Sequence, residues 1–206
     1  MIRGASSSER IGTVSREMRP PVELSQLSAY LRPTQMKVVC AWCHKVLMEY
    51  ESPKEMVSHG ICPECLRGVL GGDAVVNLRE FIDRIEFPVL VTDGSMRIQR
   101  TNRTAENAFG HPASEMESSR VGFAIECQSA QEPGGCGRAE QCAGCVLRRT
   151  IAATHADGLP RYGVYSENVV LTSEGAAPKR FRFSTTQIGD AVILAIEEIE
   201  KLLAAS

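Results

Sequence analysis

No stretch of this chain approaches the roughly 20 consecutive apolar residues of a membrane-spanning helix. Its opening, MIRGASSSERIGTVSREMRPP, also lacks the apolar core of a secretion signal. Both absences point to a cytoplasmic protein without a membrane partner. An excess of one charge is missing as well. The 23 basic and 25 acidic residues leave a net charge of -2, so nucleic-acid binding finds no support in the overall charge. Aromatic residues are sparse, at 5%, yet 43% hydrophobic and 23% charged residues describe an ordinary globular protein with one good core and a small appendage. The spacing yields no nucleophile beside a base, no paired carboxylates and no open metal site, so an enzyme is not expected. GGDA at 71 to 74 starts like a cyclase signature and goes no further, which leaves it as a linker.

What the chain does have is cysteine, eight in 206 residues. In a reducing compartment a disulfide framework is disfavoured, and metal ligands or reactive thiols are the alternatives. The first group is written CAWCH at 40 to 44 and CPEC at 62 to 65. CAWCH alone fits a c-type haem site, half of a zinc site or a redox dithiol. Cys40, Cys43, Cys62 and Cys65 together have the spacing C-x2-C-x18-C-x2-C, which lets two tight turns bring four thiolates to one tetrahedral ion. Haem would leave Cys62 and Cys65 without a role, while one Zn2+ uses all four. His44 and His59 then flank the site, and Lys37, Lys45 and Arg67 are near enough in sequence to offset its negative charge. A segment this short cannot bury a core of its own, so metal binding is what would fold it.

Four regions follow along the chain: a flexible arm at 1–35 with one short helix around Leu24 to Leu31, the zinc-binding segment at 36–69, a linker helix at 70–86, and a sensor-like domain at 87–200. NLREFIDRI has apolar residues at helical spacing, namely Leu78, Phe81, Ile82 and Ile85. FPVLVTD reads as a buried strand, GSM as a turn and RIQRTN as a second strand. Asn102 is placed to cap a helix over TAENAF that Gly110 ends. VLRRTIAATHA has helical character, and RYGVYSENVVLT, KRFRFSTTQI and AVILAIEEI read as three closing strands. Val89, Val91, Phe183, Val192 and Leu194 are the expected core, packed against the helices.

This order, headed by VTDGSMRIQRTNRTAENAFGH, resembles the PAS sensor family over residues 76 to 200. The points of likeness are an aspartate before the first turn, an asparagine after the second strand and a phenylalanine-glycine helix end. KVVCAWCHKV with SHGICPEC likewise resembles a zinc-finger-like segment of bacterial sensor and response-regulator proteins. The resemblance implies an α+β fold: a PAS-like five-stranded antiparallel sheet with helices on one face and a pocket between them, preceded by the small zinc-binding segment. It also implies signal transduction, through a protein partner or a homodimer.

The second group, Cys127, Cys136, Cys142 and Cys145, has the spacing C-x8-C-x5-C-x2-C. In the PAS reading it falls where family members hold a cofactor or reactive residue. Gly134, Gly135 and Gly137 would let the backbone wrap a cluster and donate amide hydrogen bonds to sulfur. An iron-sulfur cluster, a second Zn2+ and a thiol redox switch all remain open, and the spacing departs from the paired CxxC arrangement of cluster-bearing PAS oxygen sensors. Arg148 and Arg149 follow on the helix and can balance charge, whereas His155 is read as a dipole-favoured histidine rather than a haem ligand. The asparagine-cysteine-arginine signature of the flavin photosensors is missing. A redox- or oxygen-responsive sensor leads. A metal-stabilised interaction module and a thiol-disulfide oxidoreductase using CAWC or CAGC stand behind it.

Overall fold

The computed structural model describes residues 34–52, 54–70 and 78–202, all within one compact unit. The arm at 1–35 lies outside these residues, apart from Thr34 and Gln35, which begin the first strand. The short helix around Leu24 to Leu31 and GGDA lie outside them too.

The four-cysteine segment is built on a sheet of its own. β1 (Thr34–Cys40) lies between β2 (Val46–Ser52) and β3 (Met56–Gly60), antiparallel to the first and parallel to the second. α1 (Pro63–Leu70) begins with proline, whose fixed φ and missing N–H suit a first helical turn. α2 (Leu78–Asp83) is shorter than NLREFIDRI predicts. Beyond Asp83 the chain tightens into i→i+3 bonds, Arg84 N to Phe81 O and Ile85 N to Ile82 O, and the carbonyls of Ile82 and Ile85 also accept the Asn102 amide.

The larger sheet opens with the expected hairpin, β4 (Val89–Thr92) and β5 (Ile98–Thr101). Asp93 shapes its turn by accepting the N–H groups of Ser95 and Arg97 at 2.8 and 2.9 Å. Asn102 has no exposed surface and joins three elements. Its Oδ1 accepts Val89 N and Ala105 N, both at 2.9 Å, tying β4 to the start of α3 (Arg103–Phe109) while its Nδ2 holds the end of α2. Gly110 ends α3 in the left-handed conformation that a residue without Cβ adopts freely. Then come α4 (Ala113–Met116), α5 (Val121–Ala124), 3-10 turns at Gln128–Ala130 and Glu140–Ala143, and α6 (Val146–Asp157), which carries VLRRTIAATHA. β6 (Arg161–Thr172), β7 (Gly175–Ile188) and β8 (Ala191–Lys201) complete an antiparallel sheet in the order β5-β4-β8-β7-β6. β7 begins before KRFRFSTTQI because Ala176, Ala177 and Pro178 continue the pairing with Leu171, Val170 and Val169.

Both faces of this sheet are covered. On one, Leu90, Phe181, Phe183, Val192, Leu194 and Ile196 pack against residues of α3 to α6, among them Ala105, Met116, Val121, Leu147 and Ile151. On the other, Val89, Val91 and Ile193 pack against Phe81, Ile82 and Ile85 and against Trp42, Ile61 and Leu66 of the four-cysteine segment. The expected core residues are all buried, but they divide. Phe183, Val192 and Leu194 face the helices as expected. Val89 and Val91 face the opposite layer, because successive strand residues point to opposite sides.

Candidate metal centres

The first cysteine group is assembled by the small sheet and α1. Cys40 ends β1, and a turn returns the chain so that Cys40 N donates to Lys45 O at 2.8 Å and His44 N to Cys40 O at 2.9 Å. His44 takes φ of +60° to close this turn. Cys62 immediately precedes α1 and Cys65 lies in its first turn. The four thiol sulfurs all lie within 4.8 Å of one another, and those of Cys43 and Cys62 are 3.7 Å apart. A tetrahedron with Zn–S bonds of about 2.3 Å has edges of just under 4 Å, so a small ion fits with slight contraction.

Backbone amides point into the centre. Cys62 N donates to Cys40 Sγ at 3.4 Å and Cys65 N to Cys62 Sγ at 3.3 Å. Burial pushes the Cys40 thiol up, but the amides of Cys43, Cys62 and Trp42 outweigh it and bring the thiol down to about 7. Burial pushes Cys62 and Cys65 up, and the charge of Cys40 adds to the shift at Cys65. A divalent ion relieves that repulsion.

Neither His44 nor His59 belongs to the set of ligand atoms that closes up here. The His59 ring sits 4.8 Å from the Phe87 ring, with Nδ1 3.9 Å from the Glu197 carboxylate. Lys37 and Lys45 pair with Glu49 and Glu64 at 3.3 and 3.5 Å.

The segment is docked on the large sheet through a buried carboxylate that its sequence context conceals. Glu197 lies in the charged run EEIEK, yet its side chain is 1% exposed. It is the extra residue of a bulge: Arg182 pairs with Glu198 and Phe183 with Ile196, which turns Glu197 toward the small sheet. There it accepts Ser58 Oγ at 2.9 Å, His59 N at 2.8 Å, Ser184 Oγ at 2.6 Å and the guanidinium of Arg182. Arg182 also donates to Val57 O at 2.9 Å. Trp42, between the first two cysteines, stacks on Phe81 with centroids 4.3 Å apart and planes at 17°.

The second cysteine group has a different geometry. Cys127, Cys136, Cys142 and Cys145 line one cavity of about 460 Å³, many times the roughly 30 Å³ share of a water molecule. Among the described residues no second set of ligand atoms closes up as the first does. The loop holds its shape through glycine: Gly134, Gly135 and Gly137 have φ of +95°, +73° and +90°. Gly137 N donates to Cys142 Sγ at 3.3 Å, an amide-to-sulfur contact of the kind the glycines were expected to permit. Two arginines brace the loop by carbonyls, Arg120 on Cys136 O at 2.6 Å and Arg148 on Cys142 O at 3.3 Å. Burial pushes the Cys127 and Cys136 thiols up, and the neighbouring cysteines add to the shift. His155 lies outside the lining, 3.4 Å from Asp190. The cavity rim includes the exposed residues Glu132, Gln141, Gly144 and Arg148.

Among the described residues no helix is long and apolar enough to cross a membrane. No protein-family model matches the chain, and no curated protein does. Solved structures do match. The LOV protein of Rhodobacter sphaeroides is 14% identical with a TM-score of 0.41, covering 61% of this chain and 64% of its own. The PAS domain of BvgS from Bordetella pertussis is 16% identical with a TM-score of 0.38, covering 62% and 85%. The PAS domain of the quorum-sensing receptor RpfR from Cronobacter turicensis, in complex with BDSF, is 15% identical with a TM-score of 0.36, covering 57% and 95%. By strand order and helix placement, the five-stranded antiparallel sheet with its helices has the PAS-like fold, and a four-cysteine segment precedes it.

Proposed function

We propose that this chain is a signal-sensing protein whose PAS-like domain holds an iron-sulfur cluster through Cys127, Cys136, Cys142 and Cys145. A structural Zn2+ at Cys40, Cys43, Cys62 and Cys65 fixes the preceding segment. The observation that carries the reading is the cavity of about 460 Å³ ringed by four thiols. The close approach of the four sulfurs in the first group supports one small ion there. The second lines a cavity with room for a bulkier inorganic core, and supplies an amide hydrogen bond to sulfur of the kind that tunes such clusters. The exposed rim gives oxygen or another small oxidant a route to the site, and this supports a redox or oxygen response. The protein acts through contact with a protein partner or a second copy rather than by catalysis.

A thiol redox switch is the second reading. Switch thiols are accessible and lowered in pKa, whereas burial pushes Cys127 and Cys136 up. That direction counts against Cys127 and Cys136 as the switch pair. Protein made without oxygen is expected to be brown, to bleach in air and to lose its colour in the Cys142→Ser variant. A colourless preparation whose four thiols titrate freely would move the reading to the switch.

A further inference from the structure

We propose that Cys127 is the ligand through which occupancy of the cavity is transmitted to strand β6, an inference that rests on the cluster reading above. The four cysteines do not come from equivalent places. Cys136 and Cys142 belong to one loop and Cys145 caps α6, and their hydrogen bonds run within the loop, to Arg120 and Arg148 and to Gly122 of α5, with none to a strand of the sheet among the described residues. Cys127 instead forms an antiparallel bridge with Val170 of β6, and Leu171 N donates to Glu126 O at 2.7 Å. Glu167, Asn168 and Val169 are the strand residues lining the cavity, and all three belong to β6.

The bridge is held under strain. Glu126 has φ of +54°, a left-handed conformation that residues with a side chain rarely adopt. Cys127 N to Gly122 O at 2.8 Å and the His111 ring against the Glu126 carboxylate at 2.6 Å hold the turn. A metal bond at Cys127 adds a third restraint beside the strained residue, and its loss leaves the bridge to open more often. β6 then carries the change across the sheet. Its Gly163 lies against Met36 of β1, where an added Cβ would stand 2.7 Å from the Met36 methyl. Its Tyr165 hydroxyl reaches Met56 Sδ of β3 at 3.3 Å.

The test is hydrogen exchange on the full chain, kept anaerobic, before and after reconstitution with ferrous iron and sulfide, with zinc, iron and sulfide measured in both states. Loading is expected to slow exchange about tenfold at the Leu171 amide and across 126–130, with the β8 amides of Ile193 and Leu194 unchanged. Slowing confined to 136–145 would overturn the proposal and leave the cluster reading standing. Equal slowing through β6, β7 and β8 would overturn it too, because that pattern is global stabilisation. A chain that takes up no iron overturns both.

Discussion

Cys40, Cys43, Cys62 and Cys65 draw their sulfurs to within 4.8 Å of one another, while Cys127, Cys136, Cys142 and Cys145 stand around a cavity of about 460 Å³. Each set has four thiols, and each includes a C-x2-C pair. The difference lies in what carries them. In the first set a strand end and a helix start fix the two pairs face to face, and backbone amides aim at the sulfur atoms. In the second set a glycine-rich loop bends around a space that the core helices and β6 bound on the other side. The number of cysteines therefore says little about the metal. The stiffness of the backbone between them says more.

The largest expected effect separates the two groups by stability. Cys43→Ser should release the first ion, and structural zinc sites supply on the order of 10 kcal/mol to folding. The loss extends beyond the segment, because Trp42, Ile61 and Leu66 cover the sheet face that includes Val89, Val91 and Ile193. Trp42 is the only tryptophan, so its emission should shift to the red as it leaves Phe81, alongside a large fall in Tm. If emission and Tm stay put, the first group does not hold the docked segment together.

Glu197→Ala comes next. It leaves His59 N without an acceptor, Ser58 and Ser184 with only each other, and Arg182 with only the exposed Glu198 and Val57 O, for a cost of about 3 kcal/mol in denaturant unfolding. A loss under about 1 kcal/mol would mean that the two layers are held by apolar contact alone.

Cys142→Ser sharpens the contrast from the other side. The loop it sits in shapes a cavity and leaves both hydrophobic clusters in place, so Tm should fall by only a few degrees, about 1 kcal/mol, while bound iron disappears. Unfolding as severe as that of Cys43→Ser would erase the distinction between a structural and a sensing site.

The smallest effect is one of pH. Burial lowers the His59 pKa below its ordinary 6.5, and this outweighs the attraction of Glu197. The unfolded chain thus binds the proton more readily, so the contribution of His59 is complete above about 6.5 and is lost as pH falls below it. His59→Gln should make the decline in stability between pH 7 and 5 shallower. An unchanged slope would show that His59 is not titrating against folding.

Much of the sheet could be read from local chemistry. Asp93 and Gly110 act on backbone groups within a few residues, as Asn102 does at Ala105 N, so the turn, the helix start and the helix end each carry a short-range signature, whereas the bonds of Asn102 to Val89, Ile82 and Ile85 do not. The C-x2-C pairs are local in the same sense. The second layer was less legible because it depends on contacts between distant residues such as Trp42 with Phe81 and Ser58 with Glu197. A signal for it existed: VLV in β4 is apolar at consecutive positions, as a strand buried on both faces must be. Glu197 gave no such sign, since only the register shift opposite Arg182 and Phe183 turns it inward.

The most direct test of the contrast between the two groups is the metal and acid-labile sulfide content of the chain purified without oxygen. About one zinc per chain is expected, together with iron and sulfide in equal amounts, with Cys43→Ser losing the zinc and Cys142→Ser losing the iron. Two zinc per chain with neither iron nor sulfide would contradict the account, because the second group would then be a second closed zinc site.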